Sequence, residues 1–119
     1  MENRTEKIEA LKALADFNGR LIQNMRILIK ELRGERLEDT DKLQTDVINA
    51  INWEISVMCA TMDLLNEETE TIKKDSFNDK IQALAGALQE KEDNRIAEAL
   101  ENLIIEFQVL GEATRKVIK

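Results

Sequence analysis

Side chains able to do chemistry are few in this chain of 119 residues. Histidine is absent, which removes His-based triads, the Glu-x-x-His ligands of di-iron bundles and zinc sites of the usual kind. A single cysteine, Cys59, leaves no thiolate cluster and no internal disulfide. What remains is carboxylate chemistry. Glu67-x-x-Glu70 and Glu98-x-x-Glu101 each set two carboxylates on one helical face, and two such pairs could hold magnesium if their helices faced one another. Both pairs fall on outward faces of the apolar pattern, the ordinary place for solvated charge. Glu54 differs, because it lies between two apolar rows where water is scarce. Its carboxylate has to be ion-paired, with Arg26 as a candidate, or stretch to the rim, or be protonated. Asn18 interrupts an apolar seam and fits a register-setting role. Cys59, beside the core face, reads as a small buried hydrophobe. No catalytic, cofactor-binding or metal-ligating residue is expected.

The elements that must position these residues are helices. Proline is absent, glycine is scarce, and Ala, Leu, Ile, Glu and Lys are abundant. Asn3 with Glu6 marks a helix start. Ile8, Leu11, Ala15, Asn18, Ile22, Met25, Ile29 and Leu32 keep heptad spacing, and Leu14, Leu21 and Leu28 widen the stripe to a bundle face. Gly34 should end this first helix, over 4–33, in a left-handed turn.

The second helix starts near Thr40 or Asp41 and ends near Asn66 or runs on to Lys74, giving 41–67 or 41–74. One apolar row holds Ile48, Ile51, Ile55, Met58, Met62 and Leu65; another holds Ala50, Trp53, Val57, Ala60 and Leu64. So wide an apolar girth places helix two at the centre of the fold, with Ile55 and Met58 among the most buried residues. Ser76 with Asp79 resembles a capping box before a third helix over 77–90, whose buried face is Phe77, Ile81, Leu84 and Leu88, with Gly86 marking a close approach. Asp93 or Asn94 caps the last helix, 94–118, with the seam Ile96, Leu100, Leu103, Phe107, Leu110, Thr114 and Val117. The fold class is therefore all-α: residues 1–119 form a single domain, an antiparallel up-and-down four-helix bundle.

Charge narrows the partners. The net charge of −7 argues against nucleic acid. Residues 1–36 carry eight basic and six acidic side chains, whereas residues 37–80 carry four and eleven, an acidic middle that repels an anionic membrane surface and attracts a basic partner. No run is long and apolar enough for a membrane span and no signal-peptide pattern is present, so a cytoplasmic location is expected.

Phe17, Ile27, Trp53, Ile105 and Val109 are apolar residues that the seams do not need. They are the candidate partner-binding residues, either lining a groove for an apolar or amphipathic helical segment of another protein or closing a homodimer. Two family resemblances bear on this. Phe17-Asn18-Gly19 with Leu21, Lys42-Leu43-Gln44 through Ile48 and Ile51, and Ala87 through Asp93 followed by Ile96, Leu100 and Leu103 resemble, in order, stretches of the flagellin-type export chaperones. That resemblance implies a small antiparallel helical bundle serving flagellar or related secretion. The two acidic pairs resemble the motifs of the MazG-like nucleotide pyrophosphohydrolases, with Glu101 where that group has Asp, which would imply a metal-dependent hydrolase. The expectation is a non-enzymatic protein-binding module, a small acidic chaperone or adaptor, with the hydrolase and a self-associating structural bundle as alternatives.

Overall fold

Asn3 opens the first helix as expected, its Oδ1 accepting the Glu6 N–H at 2.8 Å. The computed structural model describes residues 3–68 and 70–118, and its helices are α1 (Arg4–Arg33), α2 (Thr40–Ala60), α3 (Met62–Leu65), α4 (Lys74–Glu90) and α5 (Asp93–Val117). It is 84% helical, with no strand among the described residues. Side-chain pairs give the relative directions. Lys7, Asn18 and Glu31 of α1 meet Asp63, Glu54 and Thr40 in turn, so α1 and α2 run oppositely. Asn18 and Arg33 meet Phe107 and Glu101, which sets α5 against α1 in the same sense. Phe77 packs edge-to-face on Phe107, ring centroids 5.2 Å apart, while Arg95 pairs with Glu90 across the α4–α5 turn.

The most extensive pairing is α1 with α5, with α2 laid mainly on α1 and α4 on α5. Helix two is thus peripheral, a correction to the central place expected for it. The reason is angular. The buried stripe of α2 runs between its two apolar rows, through Val47, Ile51, Glu54, Val57 and Met58. The outer members of the rows are left at the flanks, so Ile48, Ala50 and Ile55 are only half-buried and Trp53 is exposed. Met58 is buried as expected; Ile55 is not among the most buried residues. The leucines that widen the α1 seam, Leu14, Leu21 and Leu28, are as deeply buried as Leu11 and Met25.

Several ends differ from expectation, each for a local reason. α2 stops at Ala60 because Thr61 turns back on it: its hydroxyl donates to the Val57 carbonyl at 2.7 Å and its N–H is shared between Val57 and Met58. After the single turn of α3, Asn66 organises the connection, accepting the Thr71 and Ile72 N–H groups and donating to the Ile72 carbonyl. The acidic cluster therefore lies outside any long helix. α4 begins at Lys74, and Ser76 inside it donates to Glu106 instead of capping. Asp93 is the first residue of α5, preceded by the cap position Glu92. Gly34 has φ −93°, so the left-handed turn falls elsewhere, at Lys91 (φ 57°) between α4 and α5.

The α1–α2 corner is pinned twice. Thr40, fully buried, accepts the Leu37 N–H at 2.7 Å and donates to Glu31 at 2.8 Å. Arg36 grips Asp93 with two parallel bonds, 2.8 and 2.9 Å, and also reaches Asp41 and Gln44. That guanidinium holds the Asp93 carboxyl below its usual range.

Candidate functional site, an exposed aromatic pair over a buried carboxylate

Asn18 and Glu54 form the polar centre of the α1–α2 seam. Glu54 has no exposed surface, and its Oε1 accepts the Asn18 amide at 3.0 Å. The same Asn18 nitrogen donates to the Phe107 carbonyl at 3.1 Å, so one side chain joins α1, α2 and α5. Gly111, one turn beyond Phe107, makes room for it: a Cβ there would stand 2.4 Å from Asn18 Oδ1. Glu54 Oε2 has no hydrogen-bond partner among the described residues, and neither has the buried Thr114 hydroxyl. Burial pushes the Glu54 carboxyl up to about 7, against the smaller opposite pull of the Asn18 N–H. The expected ion pair with Arg26 is not formed, since Arg26 is on the solvent side of α1 while Glu54 points inward.

The residue before each of these two forms the surface above them. Because α1 and α2 are antiparallel and locked in register at Asn18 and Glu54, Phe17 and Trp53 arrive at the same place on the outside of the seam. Their rings meet edge-to-face at 6.0 Å, and the Arg20 guanidinium lies 5.5 Å from the Phe17 centroid. Trp53 remains 41% exposed. With Asn49 and Ala50 the two rings line a shallow, almost wholly apolar depression of about 450 Å³.

The other three candidates are not part of this patch. Ile27 lies ten residues along α1 from Phe17, about 15 Å by helical rise, and is 40% exposed. Ile105 is 56% exposed, about 120° around α5 from Gly111 and therefore turned away from α1. Val109, one turn on, is half-buried against the core. Cys59 is exposed, not buried, because it falls beyond the narrow stripe of α2. Gly86 approaches nothing: a Cβ there would meet no atom within 4 Å.

The acidic pairs stand at opposite ends of the molecule. Glu67 pairs with Arg4 at the start of α1 and Glu101 with Arg33 at its end, and the longest extent of the fold is 44 Å. They do not meet, and no group of three His, Cys, Asp or Glu able to hold a metal ion occurs among the described residues.

Three positions essential to this arrangement escaped the sequence pattern: Gly111, Thr61 and Arg36. A signal existed for Gly111, an unexplained glycine inside a long apolar-periodic helix. Nothing in the sequence distinguishes Arg36 from other surface arginines.

The fold and site define a small all-helical protein built on a paired first and last helix, with an aromatic pair on its flank. Its sequence belongs to the family described as Domain of unknown function (DUF8042), whose model matches residues 9–110. No curated protein and no solved structure gives a match. No helix among the described residues is long and apolar enough to cross a membrane.

Proposed function

We propose that this chain is a non-enzymatic protein-binding module, an antiparallel up-and-down four-helix bundle acting as a small cytoplasmic chaperone or adaptor for an amphipathic helix of another protein. The observation that carries this reading is the Phe17–Trp53 pair, two aromatic side chains spent on an exposed apolar depression and not on the core. Trp is one of the residues enriched at binding hot spots. The occupant is a helix with aliphatic anchors three to four residues apart and basic flanks. Its basic character follows from the excess of eleven acidic over four basic residues between positions 37 and 80, the stretch that carries Trp53. An exported flagellar protein is one such client, on the strength of the resemblances at Phe17-Asn18-Gly19 and along the second and last helices.

The test is a titration with a synthetic helix of that design, Leu and Phe anchors flanked by Lys, followed by Trp53 fluorescence, Trp53 being the chain's sole tryptophan. Saturable binding, weakened by salt and lost in Phe17→Ala, supports the reading. No binding by this peptide at 100 μM, or equal binding by the Phe17→Ala variant, overturns it.

A second reading, self-association, draws on Ile105, the more exposed of the two large aliphatic residues on the outer face of α5. Replacing Ile105 and Val109 by Ser and measuring molar mass by sedimentation decides it: a dimer of the parent that dissociates in the variant supports the homodimer.

A further inference from the structure

We propose that Glu54 is a proton-operated latch on α2: with its carboxyl protonated, α2 lies closed on α1, and with its carboxylate charged, α2 opens locally and parts Phe17 from Trp53. The geometry of the closed state carries the inference. Glu54 sits in the middle of a stripe otherwise made of Val47, Ile51, Val57 and Met58, with one hydrogen bond from Asn18 and none to Oε2 among the described residues. A neutral carboxyl tolerates such a place; a carboxylate with one hydrogen bond and no cation does not, and only water can relieve it.

No charged side chain is bonded to Glu54 among the described residues. On α1, Asp16 and Arg20 flank Asn18 but are exposed, and Arg26 faces solvent. On α2, Asp46 is paired with Lys42; beyond it, Asp63 is paired with Lys7. On α5, Glu106 is paired with Lys80 and Glu112 is exposed; the Arg115 guanidinium stands near Asn18, 3.4 Å from where a Cβ on Gly111 would be, but makes no bond to Glu54. Burial and the Asn18 N–H are the influences that register on the Glu54 carboxyl.

The topology lets α2 respond alone. It lies mainly on α1, so it can lift without disturbing the larger α1–α5 pairing, and the break at Thr61 provides a hinge at its end. Opening moves Trp53, the neighbour of Glu54, off Phe17. The effect on a bound helix rests on the binding reading above; the latch does not.

The experiment is hydrogen exchange of the full chain from pH 5.5 to 8.5, resolved by peptide and corrected for the intrinsic pH dependence of exchange. With the carboxyl at about 7 in the closed state and 4.5 when open, the opening equilibrium of residues 40–60 should rise about thirtyfold across this range. At every pH residues 40–60 should open more readily than residues 93–117, which report global unfolding, and Glu54→Gln should flatten the α2 profile. A parent profile in which α2 does not change with pH, or in which α2 is as strongly protected as α5 throughout and so opens only by global unfolding, overturns the latch, whether or not the variant folds. A rise that persists in folded Glu54→Gln also overturns it, because another group would then be responsible. A peptide that fails to bind leaves this exchange result untouched, so the two proposals fail separately.

Discussion

Gly111 of α5 and Asn18 of α1 interlock: the space a Cβ would take on Gly111 is filled by Asn18 Oδ1, 2.4 Å away, and its Cγ, 3.1 Å away. Asn18 has no freedom to retreat, since its nitrogen is held by both Glu54 and the Phe107 carbonyl. Gly111→Ala should therefore destabilise the fold by about 1–3 kcal/mol, overriding the better helix propensity of alanine. Gly86→Ala, on an open exposed face of α4, should instead stabilise by up to about 1 kcal/mol. Urea denaturation of the two variants should move in opposite directions.

Glu54 makes stability fall as pH rises. Its carboxyl titrates at about 7 in the fold against an ordinary 4.5, so the folded state holds the proton more tightly. Its contribution is greatest below about 4.5, declines between 4.5 and 7, and is level above. The whole span is at most about 3 kcal/mol for this fully buried group. Urea midpoints measured from pH 5 to 8 should fall in the parent and vary much less in Glu54→Gln.

Lys91 occupies the left-handed conformation at the α4–α5 turn, where glycine is at no disadvantage. Lys91→Gly should raise stability by about 0.5–1 kcal/mol, read as a higher melting temperature. An unchanged or lower value would show that the side chain contributes more than its backbone strain costs.

Thr40→Val keeps the shape of a fully buried side chain but strands the Leu37 N–H and one acceptor of Glu31. A loss of about 1–3 kcal/mol is expected. Serine at the same position should recover most of it, because the hydroxyl is what the corner requires.

The helical periodicity was legible because seams of Leu, Ile and Phe repeat at steps of three and four, and α1 falls on its expected bounds from Arg4 to Arg33. The place of α2 was not. A helix with two apolar rows looks as if it needs neighbours on both, but here the stripe between the rows is buried and the surplus flank becomes surface, where Phe17 covers part of Trp53. The oddness of Glu54 could be read from its position, while its partner could not. Asn18 lies 36 residues away in sequence, and nothing local in either helix records the register that brings the two together. The same limit applies to the aromatic pair. Phe17 and Trp53 could be recognised as surplus to the seams, but their meeting depends on that register, as does the absence of Ile27, Ile105 and Val109 from the same patch.

Pairing the first long helix with the last has a kinetic cost. The Asn18–Phe107 bond spans 89 residues, and α1 makes its largest interface with α5. For an all-helical chain this is a high contact order, and closing so long a loop should slow folding relative to bundles whose sequential helices pair first. During synthesis α1 emerges with α2 as its earliest available cover, and the rest of its apolar stripe waits for α5. Until then the part of the α1 stripe that α5 covers is exposed in a growing chain, which makes the α1–α2 hairpin the stage most prone to aggregation.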